Sequence, residues 1–191
     1  MIREDLFVLS KYRVLTSAIA REEAEFLRDY ILSKVQRGKV HRGDALVPGA
    51  PAAYGDVVFD GLLEKIVPLV EDSVGCSVFP TYSYFRLYRR GDYLPCHRDR
   101  PACEFSLSVS LGSDPDQPWP LWIEVESKPV AVSLEVGSAL LYRGTEVSHW
   151  REEFKGNYAA QVFLHYVDQK GPHAEWKFDK RTTLGVPATH V

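Results

Sequence analysis

From Glu104 to Leu111 the chain alternates strictly, with Phe105, Leu107, Val109 and Leu111 on one side and Ser106, Ser108 and Ser110 on the other. A period of two over this length excludes a helix, whose faces repeat every 3.6 residues. It defines a strand with one apolar face and one face of hydroxyls. An earlier stretch, Thr81 to Tyr88, behaves the same way: Tyr82, Tyr84, Arg86 and Tyr88 alternate with Ser83, Phe85 and Leu87. Each polar row is either the solvent side of an antiparallel sheet or the lining of a polar interior.

Further strands are expected at Leu121 to Glu126, Val130 to Leu134, Ala139 to Tyr142 and Tyr158 to Val167, with a turn at Arg90-Gly91-Asp92. Before them, Leu6 to Leu15 reads as an opening strand or two. Ala20 to Gln36 reads as a helix that Ser17 caps and that buries Ala24, Leu27 and Ile31. The glycine- and proline-rich segment 38–55 reads as a loop. A second helix fits Val57 to Val74, with Phe59, Leu62, Leu63, Ile66, Val70 and Val74 as its buried stripe and a kink or early end at Pro68. Two helices followed by about eight short strands predict a mainly β (α+β) fold, a jelly-roll sandwich or barrel backed by N-terminal helices. One domain, 1–191, is expected: a helical support region (1–78), a β core (79–168) and a tail (169–191).

A chain with 45% hydrophobic residues has enough apolar surface for one such core. Its net charge of −3 gives no general pull toward nucleic acid or anionic membrane. Cys76, Cys96 and Cys103 form an odd set with no C-x-x-C, so neither a disulfide framework nor a zinc ribbon is indicated. Reduced thiols fit a cytoplasmic protein. Met1 to Asp5 leads into no long apolar run, so neither a signal peptide nor a membrane span is expected.

Within this frame, His97-x-Asp99 places an imidazole and a carboxylate on the same side of an extended chain, where both can reach one metal ion. Alone, this pair is as well read as a surface ion pair. His149, some fifty residues later, is the natural third ligand, since several strands intervene to bring it back. Two histidines and one carboxylate bound facially leave open positions on an octahedral ion and suit non-haem Fe(II) rather than tetrahedral zinc.

The order Tyr88, Gly91, His97-x-Asp99, the strand Phe105 to Leu111, Glu135-Val136-Gly137-Ser138-Ala139-Leu140-Leu141-Tyr142 and His149 resembles the 2-oxoglutarate/Fe(II)-dependent dioxygenases of the prolyl-4-hydroxylase-like branch. The resemblance covers roughly residues 79–168 and implies a double-stranded β-helix, the cupin-like form of the jelly roll. It implies His97, Asp99 and His149 as catalytic iron ligands, Tyr88 as a residue reaching 2-oxoglutarate, and O2 as a reactant. The implied activity is hydroxylation of a C–H bond in an amino-acid residue, a free amino acid or a small metabolite, with succinate and CO2 as coproducts. An Asp at position 99 favours hydroxylation over the halogenation of some relatives.

One departure matters. The family usually carries Arg or Lys about nine to eleven residues after the distal His, holding the far carboxylate of 2-oxoglutarate; here that slot falls on Tyr158, Ala159 or Ala160. A buried carboxylate needs a partner, so a substitute is expected. Arg86 shares the face of Tyr88 and Arg151 that of His149, and either guanidinium is chemically adequate. Gln161 and the serine row, Ser108 included, can add neutral hydrogen bonds. The missing cation keeps a second class open, a metal-binding jelly roll without oxidising activity. Ser108-Val109-Ser110-Leu111-Gly112 also resembles nucleic-acid alkyl-lesion demethylases, but their downstream Arg-rich signature is absent and the chain is not basic.

Overall fold

The computed structural model describes Phe7 and residues 9–185. In chain order the elements are β1 (Tyr12–Leu15), α1 (Arg21–Gln36), β2 (His41–Arg42), β3 (Pro51–Tyr54), α2 (Val57–Lys65) and α3 (Val67–Val74). Next come β4 (Val78–Arg89), β5 (Leu94–His97), a 3-10 turn (Pro101–Cys103), β6 (Phe105–Asp114), β7 (Leu121–Val125) and β8 (Lys128–Val132). The last are β9 (Ala139–Arg143), β10 (His149–Arg151), β11 (Tyr158–Asp168) and a 3-10 segment (Ala174–Lys180). The strands form a seven-stranded sheet, β1-β9-β6-β11-β4-β3-β2, and a four-stranded sheet, β5-β10-β7-β8. Every strand pairing among the described residues is antiparallel, as a double-stranded β-helix requires. No helix among the described residues is long and apolar enough to cross a membrane.

The period-two pattern explains the layering. Phe85, Leu87, Leu107, Val109, Leu111, Val162 and Leu164 turn one face of the large sheet toward Leu27, Ile31, Phe59, Leu63 and Val70 of the helices. The opposite face looks at the small sheet, where Tyr88, Leu140 and Tyr142 pack with Leu94, Leu121, Ile123, Val132 and Phe154. The serine row is therefore interior: Ser106, Ser108 and Ser110 are all buried. β11 lies between β4 and β6, setting Gln161 opposite Arg86 and Ser110, Phe163 opposite Tyr84 and Ser108, and His165 opposite Ser106.

Several sequence expectations are corrected. Of the opening strand only Tyr12–Leu15 is extended, residues 9 and 10 are helical, and Leu6 and Val8 lie outside the described residues. Ser17 does not cap α1: its φ is +52°, its amide approaches Ser138 Oγ, and α1 starts after an extended Ala20 with no side-chain cap. The helix expected over 57–74 is two helices broken at Ile66, with Pro68 in the first turn of α3, where its missing N–H costs nothing. The 38–55 loop contains β2 and β3, so the region 1–78 supplies three strands of the large sheet as well as the helices. The tail is not featureless: the segment Ala174–Lys180 is pinned to the core by Asp179, and only residues 186–191 lie outside the described part.

Candidate active site

β5 ends on His97 and β10 begins on His149, and the two residues are paired across the antiparallel ladder. Side chains of directly opposed residues point the same way, so the imidazoles meet with centroids 4.2 Å apart. Asp99 follows two residues on, its amide donating to Gly144 O at 2.9 Å. Asp99 Oδ1 lies 3.6 Å from His97 Nε2 and 3.6 Å from His149 Nε2. Each ring is oriented from behind, since His97 Nδ1 meets Pro95 O at 2.8 Å and His149 Nδ1 meets Val147 O at 3.0 Å. A carbonyl can only accept, so both rings carry their proton on Nδ1 and turn the Nε2 lone pair toward Asp99. Burial lowers the pKa of His149, an effect that the Asp99 carboxylate opposes, and this favours the neutral, metal-binding form. Ser106 Oγ donates to Asp99 Oδ2 at 2.8 Å, leaving Oδ1 toward the histidines. Three donor atoms within 4.8 Å of one another, with both Nε2 atoms unprotonated, are the donor set of a facial metal site. The residues fit the ion that the fold implies.

The triad lines a cavity of about 460 Å³ whose walls include Tyr82, Tyr84, Arg86, Phe163, Tyr142 and Leu121. Of the five residues expected to reach the cosubstrate, only Arg86 lines this cavity; Tyr88, Ser108, Arg151 and Gln161 are buried and outside its lining, Gln161 facing a second, small pocket. Four of them are joined in two pairs. Arg86 Nη1 donates to Tyr88 Oη at 3.1 Å, Arg151 Nη2 donates to Gln161 Oε1 at 3.3 Å, and Arg151 Nη1 donates to Trp119 O at 2.7 Å. Tyr158, Ala159 and Ala160 put no cation on β11, and the two arginines reach the interior from β4 and β10 instead.

Their electrostatics differ. Arg86 is paired with Asp44, a carboxylate in the segment before β3 that also accepts the Leu46 and Val47 amides at 3.0 Å. Burial raises the pKa of Asp44, but Arg86 and those amides outweigh it and hold the group below its ordinary range. Arg151 has no carboxylate partner among the described residues, and burial lowers its pKa. Arg86 Nε, Arg151 Nε and Ser108 Oγ are all buried without a hydrogen-bond partner. Native interiors rarely leave such groups unmet, and several in one place mark a site for a polar ligand. Two buried guanidinium groups set against one carboxylate call for an anion.

Four participants were given no functional role from the sequence. Tyr142 Oη lies 3.3 Å from His149 Nε2, and burial keeps it protonated. Asp44 sits in a stretch with no periodicity. His165 lines the cavity and reaches Ser106 Oγ at 2.9 Å through Nδ1; burial lowers its pKa to about 4. Asp179, in the C-terminal segment, forms a bidentate pair with Arg100 at 2.7 and 2.6 Å and accepts from Tyr54 Oη at 2.5 Å. For His165 the only signal was its alternation with Phe163 and Gln161 on the last strand.

No family model matches the sequence, and no curated protein is similar to it. Solved structures are similar in fold. A Pseudomonas putida prolyl-4-hydroxylase superposes with a TM-score of 0.69 at 13% identity, covering 87% of this chain and 97% of the other. SnoN, an epimerase solved with Fe3+, alpha ketoglutarate and nogalamycin RO, gives a TM-score of 0.73 at 13% identity over 96% of this chain and 93% of the other. A Trichoplax adhaerens prolyl hydroxylase, in complex with a peptide fragment of the hypoxia inducible factor oxygen degradation domain, gives 0.71 at 14% identity over 88% and 89%. The chain therefore has the double-stranded β-helix fold that prolyl hydroxylases share with other non-haem 2-oxoglutarate-dependent enzymes.

Proposed function

We propose that this chain is a non-haem Fe(II)- and 2-oxoglutarate-dependent oxygenase in which His97, Asp99 and His149 hold the metal. The observation that carries the reading is the pairing of two features inside one barrel. Two Nε2 lone pairs and a carboxylate oxygen converge at the cavity, and beside it stands an under-neutralised pair of buried arginines with orphaned N–H groups. A dianionic ligand with one end for the metal and one for the guanidinium groups answers both. In this reading Arg86 and Arg151 neutralise the far carboxylate, with Tyr88, Ser108 and Gln161 adding hydrogen bonds. When bound, Fe(II) with 2-oxoglutarate and O2 supplies the oxidising power to attack an unactivated C–H bond, with succinate and CO2 as coproducts. The protein's part is to hold both histidines in the Nδ1–H form, to orient Asp99 through Ser106, and to exclude bulk water. The reaction favoured on the substrate is hydroxylation of an amino-acid residue, a free amino acid or a small metabolite. The three free cysteines suit a reducing, cytoplasmic setting.

Adding Fe(II) and 2-oxoglutarate without oxygen should produce the visible metal-to-ligand absorption of the chelate, and His97→Ala should abolish it. Arg86→Met and Arg151→Met should each weaken 2-oxoglutarate at least about tenfold, or about 1.4 kcal/mol. A wild-type protein with neither absorption nor succinate production would leave a metal-binding jelly roll as the better reading. Unchanged 2-oxoglutarate affinity in both arginine variants would remove the anchor assignment alone.

A further inference from the structure

The cavity contains a third imidazole that the proposed metal site does not use, and its hydrogen-bond direction is determined. Ser106 has a single hydroxyl proton, and its oxygen meets Asp99 Oδ2 at 2.8 Å, Cys103 O at 3.2 Å and His165 Nδ1 at 2.9 Å, with the Tyr142 hydroxyl also beside it. The first two can only accept, and the charged carboxylate is the nearest and strongest acceptor. If the proton went to His165 instead, a bare serine oxygen would face a carboxylate oxygen at 2.8 Å, which is repulsive. The proton therefore goes to Asp99, and His165 Nδ1 must be the donor to Ser106. In a neutral imidazole this leaves Nε2 as a bare acceptor.

Among the described residues nothing uses that acceptor. His165 lines the cavity, and no protein group among the described residues bonds to its Nε2. The neighbouring hydroxyl, Tyr82 Oη, is engaged with Cys103 Sγ at 3.0 Å, and the Tyr82 ring lies against the imidazole with centroids 4.5 Å apart. A histidine kept for packing alone has no need of an orienting serine on one nitrogen and a cavity on the other. It is also close to the metal position, since His165, Cys103 and Asp99 bring ligand atoms within 4.8 Å of one another.

Resting on the oxygenase reading, we infer that His165 orients the substrate, its Nε2 accepting a hydrogen bond from an O–H or N–H of a small polar molecule. The remaining lining defines the class of molecule. Tyr82, Tyr84 and Phe163 offer aromatic walls for an apolar body, and the Arg100–Asp179 pair closes one side of the cavity. A volume of about 460 Å³, part of it needed for the cosubstrate, lies at the small-ligand end of the range for binding pockets. The substrate is thus a free small molecule with a hydroxyl or amino group within reach of His165.

The test uses 15N-labelled protein loaded with Zn(II) and 2-oxoglutarate, which is diamagnetic and does not turn over. Long-range proton–nitrogen correlation spectra report which imidazole nitrogen carries the proton. The expected result is a protonated Nδ1 and a bare Nε2 for His165. The Nε2 resonance should move upfield with cyclohexanol and not with cyclohexyl methyl ether, which has a similar body and no O–H. The alcohol should bind about two- to tenfold tighter than the ether, the worth of one net hydrogen bond. In His165→Asn, whose amide N–H can stand in for Nδ1 but which has nothing at Nε2, the two probes should bind alike. An Nε2–H tautomer, an equal response to both probes (no response included), or discrimination retained in the asparagine variant would each overturn the inference. Failure to bind Zn(II) and 2-oxoglutarate at all would instead strike the reading of the preceding subsection.

Discussion

At Gly144 the backbone runs so close to the metal ligands that no side chain fits. A Cβ there would collide with the Asp99 carboxylate and the Cys103 carbonyl, and would stand 2.7 Å from Ser106 Oγ. The same residue accepts the Asp99 amide at 2.9 Å, so it positions Asp99 by contact and by hydrogen bond together. Gly144→Ala is expected to displace the carboxylate and lower Mn(II) affinity by about 10- to 100-fold, the usual loss when the support of a ligand is disturbed. Calorimetric titration of Mn(II) decides this, and wild-type affinity would mean that Asp99 is positioned by something else. His97-x-Asp99 could be noticed in the sequence because its two donors are neighbours in the chain. Tyr142, Asp44 and His165 could not be given roles, since those roles depend on which side chains other strands bring opposite them. Alternation placed Arg86 and Tyr88 on one face, yet it could not say that Arg86 already has a carboxylate and Arg151 has none.

Among the elements, β4, β6 and β11 were legible because a buried face imposes a strict period of two. β3 was not: Pro51-Ala52-Ala53-Tyr54 has no alternation in size or polarity, and it becomes a strand only by pairing with β4. The C-terminal 3-10 segment was still less legible. Phe178, Asp179 and Lys180 all have positive φ, at 53°, 55° and 62°. L-residues adopt this backbone at a cost of roughly 1–2 kcal/mol each, so the conformation is imposed by what Asp179 reaches. Burial pushes the Asp179 carboxylate up, but Arg100 and Tyr54 outweigh it and hold the group ionised. Asp179→Ala should release the segment: amide exchange of residues 174–181 should quicken at least about tenfold while β4 and β11 stay protected. Unchanged exchange would show that the segment is held by its other contacts.

On the scale of the whole molecule, the proposed metal ligands belong to the small sheet and its exit, while Arg86, which lines the same cavity, comes from the large sheet. His97 and His149 sit on β5 and β10, Arg86 on β4. A ligand spanning them ties the two layers together, and any species that binds only the folded state raises its stability by RT ln(1 + [L]/Kd). With Mn(II) and 2-oxoglutarate each present, and 2-oxoglutarate at 100 times its Kd, the gain is about 2.7 kcal/mol, or roughly 5–10 °C in Tm for a domain of this size. In a thermal melt 2-oxoglutarate alone should give much less than this, because its chelating end then has no metal. An equal shift with and without Mn(II) would argue against a ligand shared between metal and arginine. The jelly-roll architecture was readable from strand count and turn spacing. The division into seven and four strands was not, since it depends on which short edge strands join.

The approach of Arg86 and Arg151 to one interior space from different strands also bears on descent. A lineage can move a positive charge from one wall of a barrel to another without passing through a neutral interior, provided an ancestor carried both arginines at once. The charge then stays fixed in space while its position along the chain changes. A comparison that expects the cation at one fixed distance along the chain would not register such a shift.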